Sequence, residues 1–256
     1  MKKELTYLLM LVVLAGLTFW LDPDFFYVSQ QKQTDRRAAN DYILAVSWQP
    51  AFCEKLPNKP ECRSQHQNRF DASNFTLHGL WPQPKGTSYC NLPENIVTID
   101  KTGRWHELPK LDLSETLRKE LSEKMPGYRS HLHRHEWYKH GSCMPGYSPE
   151  DYFTISLKLL DSINESEFAN LFRGNKGRKL FFRDINFEFV QAFGVNARQK
   201  LVADCYRDDG RRIFQEFKLS LSGLVSINSD LSELLAKSKS LGSSCPSGLV
   251  DRVGLQ

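Results

Sequence analysis

The chain has 256 residues, 40% hydrophobic and 12% aromatic, with a formal charge of +4 at pH 7. That composition suits a folded protein with a sizeable core and excludes a disordered, collagen-like or low-complexity chain. The mild cationic excess permits an anionic partner without demanding one.

Lys2 and Lys3 precede Leu5 to Leu21, a run of 17 uncharged residues. A positive start followed by an apolar segment marks export. The run falls between a signal-peptide core and a membrane span of about 20 residues. It ends Leu17-Thr18-Phe19-Trp20-Leu21 rather than in small residues. Between a cleaved signal peptide and an N-terminal membrane anchor at residues 1–21, this favours the anchor. Residues 22–41, polar from Ser29 to Asp41, read as a linker, and residues 42–256 as a single domain. Either leader places that domain outside the cytoplasm: periplasmic, secreted, or membrane-anchored facing outward. The six cysteines Cys53, Cys62, Cys90, Cys143, Cys205 and Cys245 lie beyond the leader. An even number in an exported chain implies three disulfides, with the pairing left open. No C-x-x-C pair supports a zinc ribbon or a thioredoxin-type site.

Tyr42 to Trp48 is a short apolar run that predicts a buried strand. Asn74 to Trp81 alternates as a second strand, halted by Pro82 and Pro84. Apolar residues at 111, 113, 117 and 121 predict an amphipathic helix over Leu111–Lys124, ended by Pro126-Gly127. Ser148-Pro-Glu-Asp151 is a helix start, and that helix should run to about Ile163. A further helix is expected over Asp184–Phe193, stopped by Gly194. Strands are expected at Leu201–Cys205 and Arg212–Leu221, the latter alternating imperfectly. Helices and strands without a βαβ rhythm indicate an α+β domain. Asn74 and Asn164 head glycosylation sequons, read as chance occurrences.

The segment His135-Glu-Trp-Tyr-Lys-His-Gly-Ser-Cys143 concentrates chemistry. A zinc helix needs H-E-x-x-H, with ligands at i and i+4. Here the second histidine stands one residue too late, and Lys139 occupies the ligand position. The row His131, His133, His135 could hold metal only adventitiously. On a helix, 135 with 139 and 136 with 140 are neighbours, so His135, Glu136, Lys139 and His140 share a face. Carboxylate, ammonium and imidazoles together suit acid–base chemistry on an anion. An exposed, salt-bridged face is the plain alternative. Against it stand the terminal Gly141-Ser142-Cys143 and His78, a histidine within the apolar strand Phe75-Thr-Leu-His-Gly-Leu-Trp-Pro82, whose burial needs a purpose.

The segments "FTLHGLWPQ" (75–83) and "HEWYKHGSC" (135–143) resemble, in order and separation, the two active-site segments of the ribonuclease T2 family. Ser47-Trp-Gln-Pro-Ala-Phe-Cys53 resembles its first core strand, and the resemblance extends over about residues 42–245. It implies a central antiparallel sheet flanked by helices and metal-independent cleavage of single-stranded RNA without a cofactor. The ribose 2′-OH attacks phosphorus, a 2′,3′-cyclic phosphate forms, and hydrolysis leaves a 3′-phosphate. DNA, lacking the 2′-OH, should not be cut, and a monomer with an acidic pH optimum is expected. Carried over by position, His140 is the base and His78 the acid of cyclisation, roles that reverse in hydrolysis. Glu136 and Lys139 stabilise the charged transition state and His135 holds the phosphate. Trp81 matches a base-stacking tryptophan, with core packing beside Pro82 as its alternative, and Tyr89 is a second base contact. Gln83 stands where several members carry an acid, which leaves base preference open and broad specificity expected. The family also implies the pairs Cys53–Cys62, Cys90–Cys143 and Cys205–Cys245. Two rivals are an inactivated relative that binds RNA or a protein, and a metal-dependent hydrolase. The first is disfavoured because all five candidate catalytic positions carry the expected residues, the second by the histidine spacing and Lys139.

Overall fold

The computed structural model describes residues 40–255, so the expected leader lies outside the described residues. Asn40 and Asp41, expected in the linker, instead open strand β1 (Asn40–Trp48). They pair with Gly223 and Ser222 of β5 (Arg211–Gly223), a strand long enough to extend the ladder beyond the apolar run. With β2 (Phe75–Pro82), β3 (Lys179–Phe181), β4 (Leu201–Asp208) and β6 (Ser247–Leu249), these form one sheet of order β2-β1-β5-β6-β3, β4 also pairing with β5. All pairings are antiparallel except β5 with β6. The helices are α1 (Gln49–Lys55), α2 (Pro60–Arg63), α3 (Glu94–Lys101), α4 (Glu115–Lys124), α5 (Leu132–Lys139), α6 (Pro149–Asn164), α7 (Glu167–Gly174), α8 (Phe182–Phe193) and α9 (Leu231–Lys237). Among the described residues, no helix is long and apolar enough to cross a membrane.

Local chemistry sets the helix ends. The helix expected from Leu111 starts only at Glu115, because the Ser114 side chain accepts the Leu117 N–H as a cap while Leu113 is already buried ahead of it. Ser148 caps α6 as expected, in a full capping box with Asp151. Gly194 ends α8 at φ 89°, a conformation open to glycine.

The core lies between the sheet and α6, α7 and α8. Phe75 stacks on Phe168 at 5.2 Å and meets Phe172 at 4.9 Å and Phe217 at 5.5 Å. Helix α6 also closes the outer edge of β2. Tyr152 Oη accepts the Leu80 N–H and donates to the Leu80 carbonyl, both at 3.0 Å. Asn164 accepts the Phe75 N–H at 2.9 Å and donates to its carbonyl at 3.0 Å. An edge strand whose polar groups are met by side chains is both anchored and protected from pairing with other chains. Both sequon asparagines are therefore occupied by the fold: Asn164 in this clamp, and Asn74 between the Phe70 carbonyl and Arg173.

Two bulges direct the polar face of the sheet. Ala45 pairs with Gly79 but Val46 with Leu77, which leaves His78 as the extra residue. Core residues accordingly switch parity, from Phe75 and Leu77 to Leu80 and Pro82, and His78 emerges on the opposite face. In β5, Asp204 pairs with Glu216 but Cys205 with Phe214, so Gln215 is extra. That is the source of the strand's imperfect alternation.

Truncation of Phe75 to alanine removes the ring at the centre of this cluster. Urea unfolding of Phe75→Ala should show a loss of about 3–5 kcal/mol.

Candidate active site

The side chain at the middle of the site is Glu136, 1% exposed, on α5. Its Oε2 accepts the Trp81 indole N–H at 2.8 Å. Its Oε1 lies 3.6 Å from His78 Nε2 and 3.9 Å from His135 Nε2, and makes no hydrogen bond among the described residues. The carboxyl approaches β2 where that strand has no side chain: a Cβ on Gly79 would sit 1.8 Å from Glu136 Oε2. Burial pushes the Glu136 pKa up, against the opposing pull of His78, His135, the Trp81 N–H and Lys139.

His78, about a third exposed, is held from its other nitrogen: Nδ1 is 2.5 Å from Glu216 Oε2 on β5. Burial works to lower its pKa, but the Glu216 hydrogen bond and the Glu136 and Glu216 charges outweigh that, and the net shift is upward. His140 follows α5 and stacks on Trp81 with centroids 5.4 Å apart. Burial and then the Lys139 cation lower its pKa to about 3. The two candidate acid–base imidazoles thus have opposite charge preferences. His135 is held by buried Asp100 of α3, its Nδ1 2.9 Å from both carboxylate oxygens, and stacks on Trp105 at 4.5 Å.

All five candidate catalytic residues meet here: His78 from β2, and His135, Glu136, Lys139 and His140 from α5 and its end. The shared face expected on α5 holds for His135, Glu136 and Lys139, while His140 leaves the helix at φ −114°, ψ −51°. Of the row His131, His133 and His135, the first two have ring centroids 6.2 Å apart, whereas His135 is held by Asp100. His131 takes a left-handed conformation before α5, and buried His133 stacks on Tyr128 at 4.0 Å.

The expected base contacts separate. Trp81 is half-buried but faces the site, its N–H on Glu136 and its ring on His140. Tyr89 donates its hydroxyl to Asp100 at 2.7 Å, so it braces the carboxylate that holds His135. Gln83 donates its amide to the Trp81 and Pro82 carbonyls and lines a separate hollow of about 620 Å³ with Lys85, Ser220 and Ser222. A smaller cavity of about 200 Å³ lies beside His78, with Phe52, Leu77, Trp105 and Leu132 among its walls.

The three disulfides are those the resemblance implied: Cys53–Cys62, Cys90–Cys143 and Cys205–Cys245. The second ties the segment after β2 to the turn after α5, and the Tyr89 N–H bonds the Lys139 carbonyl at 2.9 Å beside it. Sequence reasoning missed Glu216, Lys218, Asp100 and Trp105. Glu216 and Lys218 were legible only as polar positions between Phe214, Phe217 and Leu219. Nothing local in the α3 segment marks Asp100.

The site thus gathers a buried carboxyl flanked by histidines, with a lysine and a tryptophan beside it. Residues 40–229 match the Ribonuclease T2 family, and the chain belongs to that family. It is 34% identical over 179 residues to Ribonuclease I of Escherichia coli K12, a match covering 60% of this chain and 65% of that protein. It is 31% identical over 128 residues to Ribonuclease S-7 of Nicotiana alata, covering 47% and 50%. The matched region spans about half to two-thirds of the length of these relatives. Trichomaglin, described as an S-like ribonuclease, aligns over 85% of this chain and all of its own with a TM-score of 0.53 at 19% identity. A variant of RNase MC1 in complex with 5′-UMP aligns over 82% of this chain and 98% of its own, with a TM-score of 0.52 at 16% identity. These likenesses establish the fold, with its central sheet flanked by helices.

Gly79 leaves the space that the Glu136 carboxylate fills. Gly79→Ala should lower the unfolding free energy by about 1–3 kcal/mol in a denaturant titration, by forcing Glu136 away from Trp81.

Proposed function

We propose that this chain is a metal-independent endoribonuclease that cleaves single-stranded RNA through a 2′,3′-cyclic phosphate to 3′-phosphate ends. The observation that carries this reading is the meeting of His78 with Glu136, Lys139, His140 and His135 around one buried carboxyl, with the two outer histidines biased toward opposite protonation states. In cyclisation, neutral His140 takes the 2′-OH proton, O2′ bonds phosphorus, the P–O5′ bond breaks, and cationic His78 protonates O5′ from Nε2. In hydrolysis the roles reverse: His78 takes a proton from water, the water oxygen bonds phosphorus, the P–O2′ bond breaks, and His140 returns its proton to O2′. Lys139, which has no carboxylate partner among the described residues, offsets the developing charge, and His135 holds the phosphate. Glu136, whose pKa burial pushes up, lies between His78 and His135 and helps to stabilise the charged transition state.

Trp81 offers a ring for the base on the 2′-OH side. The apolar cavity beside His78 suits the base on the leaving side. Gln83, occupied with carbonyls of its own strand, places no charged group on a base edge, in keeping with broad specificity. Three disulfides among the described residues support an extracytoplasmic location. The monomer and the membrane anchor at residues 5–21 remain expectations of the sequence.

Single-stranded RNA digested by the full chain in excess EDTA tests this. We expect cyclic-phosphate ends, no cleavage of the matching DNA, and a loss on the order of 10²–10⁴-fold in His78→Ala or His140→Ala. Activity abolished by the chelator, or a folded chain that leaves RNA intact, would overturn the reading. The pH profile has a definite sign. A base lowered to about 3 by burial and Lys139 is already neutral in mild acid, whereas the acid, raised by Glu216 and Glu136, stays cationic there. The rate should therefore hold through mildly acidic pH and fall on the alkaline side as His78 loses its proton.

A further inference from the structure

His78 is gripped from behind by a residue that neither active-site segment contains, 138 positions further along the chain. We propose that Glu216 is the positioning residue for His78, holding its Nδ1–H so that Nε2 alone faces the reacting phosphate. The inference rests on the ribonuclease reading of this site and assigns a new member to it.

The contact is built by the sheet. β1 lies between β2 and β5, and at the level of the contact it carries Ala45 and Ser47, paired with Gly79, Lys218 and Glu216. Side chains that small let an imidazole and a carboxylate meet over the intervening strand. The bulge at His78 turns the histidine onto this face, and the bulge at Gln215 sits next to Glu216. Both edges of the carboxylate are occupied. Oε2 holds His78 at 2.5 Å, and Oε1 lies 3.3 Å from Lys218 Nζ, which also pairs with Asp204. Burial would raise the Glu216 pKa, but His78 and Lys218 outweigh it and the group stays ionised.

The groups facing His78 divide by role. Glu136 and Lys139 come from α5, His140 from its end, and Glu216 and Lys218 from β5, with Glu61 and Lys59 further along the wall of the adjoining cavity. Glu136 lies on the Nε2 side, where the phosphate must come, and Glu216 on the Nδ1 side, away from it. When Nε2 gives its proton to O5′, the N–H bonding pair stays on Nε2 and the remaining proton stays on Nδ1, against Glu216. The neutral ring is then in the one tautomer that can take a proton from water in the second step. Without Glu216 the ring can turn or protonate at the wrong nitrogen, and the loss belongs to turnover rather than to binding.

The experiment compares full-length wild type with Glu216→Gln, which keeps an acceptor without the charge, and with Glu216→Ala and Glu216→Asp. Nitrogen-15 NMR follows the His78 tautomer and titration while steady-state kinetics on a single-stranded oligoribonucleotide gives kcat, KM and the alkaline limb. We expect an Nδ1–H tautomer in neutral wild-type His78. In Glu216→Gln, kcat should fall on the order of ten- to a hundredfold with KM little changed. Its alkaline limb should move to lower pH, Glu216→Ala should be worse, and Glu216→Asp partly restored. A Glu216→Gln chain whose His78 tautomer, titration and kcat all match wild type overturns the proposal. If Glu216→Ala does not fold, the near-isosteric Glu216→Gln carries the test alone. The NMR arm separates the two readings: a His78 titration unmoved in Glu216→Gln overturns the positioning role, whereas folded wild type that leaves RNA intact overturns the ribonuclease reading.

Discussion

A carboxylate enclosed as fully as Glu136 costs several kcal/mol unless the surrounding protein supplies donors and positive charge. Much of the site can be read as the answer to that one constraint. The Trp81 indole N–H takes one oxygen, while His78 and His135 approach the other without a hydrogen bond among the described residues. Gly79 stays bare because any Cβ would occupy the same space. An oxygen left this way, buried and unmatched, is a reserve of hydrogen-bonding capacity that the folded protein does not use itself.

Holding that arrangement requires β2 and α5 to stay in register across the 49 residues, 83–131, that separate them. Three devices share the task. Helix α6 clamps the backbone of β2 at Phe75 and Leu80 through Asn164 and Tyr152. The Cys90–Cys143 bond and the Tyr89–Lys139 backbone bond tie the connection after β2 to the end of α5. Asp100 fixes His135 from α3 and is itself braced by Tyr89. Tyr89, expected to meet a base, serves the scaffold because its hydroxyl finds a carboxylate acceptor at hydrogen-bonding distance.

The strands of the sheet centre, α6 and the grouping of His78 with His135, Glu136, Lys139 and His140 were legible because each leaves a local mark: an apolar run, a capping box, a dense cluster of ionisable residues. Helix α4 was overextended because Leu111 and Leu113 fit the helical period by chance, whereas the Ser114 cap decides the start. Glu216 and Asp100 were illegible for another reason. Their role exists only across strands or between helices, and a lone acid in "FQEFKL" or "NIVTIDK" looks like any solvated charge. The irregular spacing of β5 carried a trace, since a parity break in a buried strand implies a bulge, and bulges redirect side chains.

The two outer histidines complete the argument from environment to role. Both are imidazoles within one site, yet His78 sits between two carboxylates while His140 is enclosed beside a lysine and an aromatic ring. Burial disfavours charge in both; only the neighbours differ, and they separate the two titrations in opposite directions. The proposed cycle, which begins with one neutral and one charged imidazole, needs that asymmetry built in before substrate arrives. Here it follows from sheet topology, because β5 carries Glu216 to the far side of His78 and no described element carries a carboxylate to His140.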